Sequence, residues 1–409
     1  MKTTLTLIML FTANVALAAS PQSVGALEFA DADTLFVADS DGGQVFAYTL
    51  PKAKAASGSM GYNLLGFGHS VASKFGVTDR DLSYHDIATH PVSGEIWLSL
   101  TVRKDSKSVP ALVRANAAGD VHIVDLAKLP QTRKRLGSTA DDGVKFWRDI
   151  PATTLAITDL DYVDGTLYVS GLSTGEFAST LRQIPYPFED TNDTSHIEIY
   201  HTVHDQIETR APIRAMTVLN LNGEQTVVAA YTCTPLVTIP TNALKDGANV
   251  RGKTVAELGY GNTPLDIIQF TAPNHQQQPE DYVLVVHKER NADLIRVADL
   301  AEGAKKDSLS TPEMWGHAGV PSRALPLSGV LRVADQDAQY IATLKRNIET
   351  GDVDLVSFRK GAYFRLPDFI SEYNFPDYEY VEEQDFFRNF QNMLKSDAGY
   401  SDLTRERAE

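Results

Sequence analysis

Only one cysteine, Cys233, occurs in 409 residues, so no disulfide can form within the chain. Stability has to come from a packed core, which 43% hydrophobic residues over this length can supply. No apolar run beyond the first residues reaches the roughly 20 positions needed to cross a bilayer. Basic residues are scarce beside acidic ones, 37 against 53, which leaves a formal net charge of −16. A surface this acidic repels phosphate backbones and anionic lipids, so neither nucleic acid nor a membrane surface is an expected partner. Helical periodicity is absent until the far C-terminus. Apolar residues fall instead into short runs bounded by Gly, Pro, Asn or Asp, the pattern of short strands.

What is present is a phrase met six times: a short apolar strand opening on a polar pair, a turn, then a strand of the type Leu-Phe-Val-Ala-Asp. The openings are Gly25-Ala26-Leu27, His85-Asp86-Ile87, Thr158-Asp159-Leu160, Ile213-Arg214-Ala215, Leu265-Asp266-Ile267 and Ser322-Arg323-Ala324. Their spacings of 60, 73, 55, 52 and 57 residues suit one sheet per repeat of a β-propeller. In the third repeat, strands are expected over 155–163, 165–171, 177–185 and 196–203. The fourth divides into 213–220, 226–231, 236–240 and 254–258, and the fifth begins 265–270, 282–287 and 293–297. The expected fold class is all-β, a single propeller over residues 19–370 with six four-stranded blades. A seventh blade hidden in 50–84 or 126–152 is the alternative. Residues 127–152, with Arg133-Lys134-Arg135 and Trp147, read as an excursion, its basic run being a solvated loop. Residues 371–409 form an acidic tail with a helix over 382–394.

The start of the chain suggests a destination. Met1-Lys2 is a short positive opening, residues 5–15 are mostly apolar, and Ala16-Leu17-Ala18 is a small-residue cleavage pattern. Residues 1–18 are therefore expected to be a signal peptide, and the mature chain periplasmic or secreted. Losing Lys2 takes the formal charge from −16 to −17.

Leu167-Tyr168-Val169-Ser170-Gly171 resembles the Tyr-Val-Thr-Asn repeat of bacterial extracytoplasmic propellers, and the general pattern is similar to quinoprotein-like and lactonase-like propellers. The resemblance spans roughly residues 22–369 and implies fold alone, since propellers host enzymes and binding scaffolds alike.

In a propeller the innermost strands line an axial channel. Stacking the openings puts Ala26, Asp86, Asp159, Arg214, Asp266 and Arg323 in one layer around it. Charges so confined have to be paired or to hold something. One reading is a structural Asp–Arg ring. The other is a polar or anionic ligand clamped by Arg214 and Arg323, with Asp86, Asp159 and Lys288 beside it and His85, His287 and Asp266 as acid–base groups. His85, His204, His287 and Cys233 are the metal candidates, for copper or another transition metal, and the channel carboxylates suit calcium. His196 and His201 lie near His204 in sequence. Gly171-Leu172-Ser173-Thr174-Gly175 matches the nucleophile-elbow formula but sits in a strand-to-strand turn, where that motif does not work. Asp39-Ser40-Asp41-Gly42-Gly43 reads as a glycine-rich hairpin rather than a calcium loop. The functional expectations are an exported propeller with a metal- or cofactor-assisted oxidoreductase site, a non-catalytic propeller engaging another periplasmic protein, or a calcium-dependent hydrolase.

Overall fold

The computed structural model describes residues 20–361, except 57, 142, 192, 275, 348 and 349, together with residue 377. The expected leader and, that one position aside, the acidic tail with its helix lie outside the described residues. Among the described residues, strands collect into six sheets of four or more strands and one two-stranded ribbon. The innermost strands, in chain order, are Leu27–Asp31, Leu82–Thr89, Asp159–Val163, Ile213–Leu221, Pro264–Pro273 and Val330–Asp335, and they number the sheets first to sixth below. Second strands such as Thr34–Asp39 and Thr166–Leu172 are almost wholly buried. They have a strand on either side and a sheet against each face, which requires the near-continuous apolar runs seen in the sequence.

The innermost strands pack against one another in a closed cycle, and the cycle is not the chain order. Around the axis the sheets run second, first, third, fourth, fifth, sixth and back to second. The chain is laced accordingly. After three strands of the first sheet it crosses to the sixth, where Asn63–Leu64 pairs with Val353–Arg359 as the outermost strand. It then builds the second sheet between the two, and returns to complete the first with Gln131–Arg135 along Gln44–Thr49. The basic run Arg133-Lys134-Arg135 is therefore a strand and not a solvated loop. Lys134 is buried and donates to the Glu189 carbonyl. Residues 145–151 form the ribbon, with Trp147 fully outward at 82% exposure.

Strand positions in the third, fourth and fifth repeats match the sequence expectation closely, but two helices depart from it. Phe67–Phe75 (α1) packs between the second and sixth sheets through Phe67, Val71 and Ala72. Val297–Lys305 (α2) covers the fourth and fifth through Val297, Leu300, Ala301 and Ala304. That i, i+3, i+4, i+7 stripe is a helical signal within the expected fifth-repeat strand and its connection.

Tyr62 bolts the lacing. It is buried where the sixth and second sheets meet. Its hydroxyl donates toward the Gly94 and Ala115 carbonyls, 2.8 and 3.0 Å away, and accepts from the Ile96 N–H at 3.2 Å. Its own N–H donates to Ser357 Oγ at 2.8 Å. Tyr62→Phe is expected to remove the hydroxyl's bonds to Gly94, Ala115 and Ile96, while keeping the one to Ser357, and to cost about 1–3 kcal/mol in urea unfolding.

Candidate functional site

The innermost strands of the second, fourth, fifth and sixth sheets each slip by one residue against their neighbour, at His85, Arg214, Leu265 and Leu331. Such a bulge re-aims the side chain that follows. Here it turns Asp86, Ala215, Asp266 and Arg332 to the axis. Asp159 takes the place equivalent to Asp86, since each faces a serine across the ladder, Ser170 and Ser99. With Ala26, these residues close around a void of about 20 Å³, room for about one water.

Each aspartate in this constriction bonds in the same way. Its Oδ1 accepts the next N–H of its own strand, at 2.8 Å for Asp86 to Ile87, 2.9 Å for Asp159 to Leu160 and 2.9 Å for Asp266 to Ile267. Its Oδ2 accepts an N–H from the adjoining sheet: Leu27 to Asp86 at 2.7 Å, Met216 to Asp159 at 2.6 Å, Val333 to Asp266 at 2.9 Å. In ring order the layer reads Asp86, Ala26, Asp159, Ala215, Asp266, Arg332, so every second position is an aspartate that fastens its sheet to the next. Asp161 adds a further tie, accepting from the Val218 N–H. Burial, and after it the charge of Asp266, pushes Asp86 up to about 7. Burial followed by the charges of Asp266 and Asp86 holds Asp159 well above the usual carboxylate range.

Arg332 takes the place assigned from the sequence to Arg323. Its guanidinium donates to the carbonyls of His85, Leu265 and Leu331, tying the sixth sheet to its neighbours on both sides. Arg323 instead lies exposed on the outermost strand Arg323–Leu325 of the fifth sheet, because the sixth sheet opens later, at Val330. The Val-Ala-Asp ending of Val330–Asp335 repeats that of Thr34–Asp39, a second strand, and so disguises an innermost strand as the one after it. Arg214 belongs one position earlier than its expected place, on the bulge itself beside His85. Its guanidinium makes no hydrogen bond among the described residues. Burial, then Arg332, brings it down to about 10 against the pull of Asp266, Asp159 and Asp86. Lys288 is a surface residue paired with Glu289.

His85, His204 and His287 do not converge. His85 Nε2 lies 2.7 Å from Thr101 Oγ1, and burial, followed by Arg332 and Arg214, lowers its pKa to about 4, so it is neutral at pH 7. His287 is buried within the fifth sheet, with Nε2 2.9 Å from Asp293 Oδ2. His204 and Cys233 sit away from both, next to His201. Ser173 is buried in a strand-to-strand turn, and a Cβ on Gly171 would fall 2.0 Å from the Ala156 carbonyl oxygen, so glycine there serves packing. Asp39 Oδ1 accepts N–H groups from Gln22, Ser23 and Gly42 and so has the role of a turn anchor.

Beyond the constriction the channel widens to a cavity of about 390 Å³. Glu28, Asp31, Asp161 and Asp335 line it together with Gln269, Phe29, Met216 and Ile268. Asp335 is matched by Lys360 at 2.6 Å. Glu28 has no hydrogen bond or ion pair among the described residues. Burial, followed by the charges of Asp161, Asp159 and Asp86, raises its pKa well above the usual carboxylate range.

Six sheets whose innermost strands enclose an axial channel define a β-propeller-type protein. No family model and no curated protein matches the chain. Among solved structures it is similar to a glucose dehydrogenase, at 10% identity over 85% of this chain and 98% of that one, with a TM-score of 0.33. It is also similar to apo AztD from Citrobacter koseri, at 10% identity over 83% and 90%, TM-score 0.25. Drosophila Plexin A in complex with Semaphorin 1b gives 9% identity over 86% and 87%, TM-score 0.33. At these levels the similarity says nothing of ligand or chemistry.

Asp266→Ala strips two buried N–H groups and Arg332 of their carboxylate and is expected to cost about 2–4 kcal/mol, whereas Arg323→Ala should stay within about 0.5 kcal/mol. Urea midpoints of the two variants check the contrast. The raised pKa of Glu28 has a defined sign. Folded Glu28 keeps a proton that the unfolded chain releases from about pH 4 upward, so its contribution to stability is present in acid and lost as pH rises. Glu28→Gln, neutral throughout, should match the wild type near pH 4 and be the more stable of the two at pH 8.

Proposed function

We propose that the chain is an exported six-bladed propeller that binds a small organic cation, an aliphatic ammonium, in the wide part of its channel. The observation that carries this reading is Glu28, an unpartnered carboxyl among other carboxylates in a cavity of about 390 Å³. An enclosed acid without a partner costs stability, and it is kept where a ligand supplies the missing charge. The volume lies within the 300–1,000 Å³ common for small-molecule sites, about right for a short alkyl chain with one or two charged ends. Phe29, Met216 and Ile268 offer it apolar wall, and Glu28 and Asp161 receive the ammonium. The wide cavity is lined by no arginine or lysine among the described residues: Arg214 and Arg332 lie at the constriction and Arg323 on an outer strand, so a cation suits it better than the anionic ligand expected from the sequence.

An oxidoreductase at the constriction is the weaker reading. Asp86, Asp159 and Asp266 each already accept two backbone N–H groups, and the void between them holds about one water, which leaves no room for a substrate beside them. Export rests on the leader pattern of residues 1–18.

Calorimetric titration of the full chain at pH 7 with 1,4-diaminobutane is expected to show one site. Glu28→Gln should weaken it by about tenfold or more without loss of folding. Calcium is titrated in parallel. Uptake of calcium alone would replace the ammonium by a metal ion, and uptake of neither would end the reading.

A further inference from the structure

The third and fourth sheets bring together three side chains with no part in the channel. The fourth strand of the third sheet, Asp193–His201, ends on His201, and the turn beyond it carries His204. The turn after Glu224–Tyr231 of the fourth sheet carries Cys233. One ligand atom from each of His201, His204 and Cys233 lies within 4.8 Å of the others. The two imidazole centroids are 4.1 Å apart.

We propose that His201, His204 and Cys233 form a site for a zinc-type transition-metal ion. Three features support this beyond proximity. First, Glu208 reaches both rings on the same side. Its Oε2 is 3.0 Å from His201 Nδ1, and its Oε1 is hydrogen-bonded to His204 Nδ1. A carboxylate on Nδ1 leaves Nε2 as the donor nitrogen of each ring, the arrangement that orients metal-binding histidines. Here one carboxylate, delivered by pairing of Gln206–Glu208 with the end of the His201 strand, serves two rings. Second, Cys233 has φ +82°, a left-handed conformation that costs energy and has to be held in place by its surroundings, as at many ligand sites. Third, the burial is graded. His201 is only 1% exposed, whereas the His204 side chain is 49% exposed, which leaves a solvent route for the ion.

The donor set narrows the metal. Two imidazoles and a thiolate suit a borderline transition ion such as zinc, with copper the competitor, and Glu208, its oxygens turned to the Nδ1 atoms, is a support rather than a ligand. Calcium and magnesium, which need several oxygen donors, are excluded. Three protein ligands leave a fourth tetrahedral position open.

The test is titration of the metal-free full chain with Zn²⁺ against a chromophoric chelator, and with Co²⁺ followed by absorption. One equivalent of zinc is expected, and cobalt should give a thiolate-to-metal band in the near ultraviolet. Cys233→Ser should abolish that band. His204→Ala, at a half-exposed position that tolerates truncation, should weaken zinc at least tenfold, and Glu208→Gln about 10- to 100-fold. Zinc should also slow alkylation of Cys233 by iodoacetamide. The exposed His317 provides the control, His317→Ala leaving affinity unchanged, and Glu28→Gln should leave it unchanged as well. Failure to bind zinc, binding indifferent to both Cys233→Ser and His204→Ala, or uptake of Cu⁺ in place of Zn²⁺ would overturn the proposal.

Discussion

The bond from an aspartate Oδ2 to a backbone N–H on the adjoining sheet is the interaction on which the ring depends. Innermost strands in a closed cycle share no backbone ladder, so side-chain bonds of this kind, with side-chain packing and the laced strands, hold the sheets in register. Asp86, Asp159 and Asp266 each supply one, and because they alternate around the axis they join the six sheets as three pairs. Arg332 links the last pair to the first by donating to the carbonyls of Leu265 and His85. The carboxylates are costly to bury, and two N–H donors apiece offset that cost.

Much of this was visible in the sequence. Asp86, Asp159 and Asp266 were named from the opening phrases alone, because the same local pattern puts the same side chain at the same depth. The four-strand division of the third repeat was likewise legible from turn residues. What escaped was everything set by long-range order. The exchange of the first two sheets hides the alternation of aspartates, which in chain order reads as irregular. Ser322-Arg323-Ala324 imitates an opening, although its pairing with Ala292–Arg296 makes it an outer strand. His85, His287 and His204 were grouped by repeat position. The partners that separate them, Thr101, Asp293 and Glu208, become neighbours only on folding. The basic run 133–135 looked solvated because nothing local announces that a strand is borrowed from beyond the next sheet.

Charge is handled in two ways along one axis. At the constriction every aspartate is saturated by the backbone, and the groups serve the architecture. In the wider cavity Glu28 is left without such a partner, and the carboxylates around it make its ionised form costly. The imidazole–thiolate cluster stands apart from both, at a seam between the third and fourth sheets. It draws on the ends of an outer strand and an inner turn rather than on the channel wall.

The lacing has a bearing on how the molecule is completed during synthesis. The dipeptide Asn63–Leu64 leaves the ribosome early, yet its partner strand Val353–Arg359 emerges almost three hundred residues later. Until then the second sheet lacks its neighbour on one flank, and Tyr62 has no Ser357 to meet. A nascent chain of this kind remains an open arc with one raw edge, which any helper protein that keeps the chain from aggregating would have to shield. Closure of the circle is the final event, made by segments from opposite ends of the polypeptide.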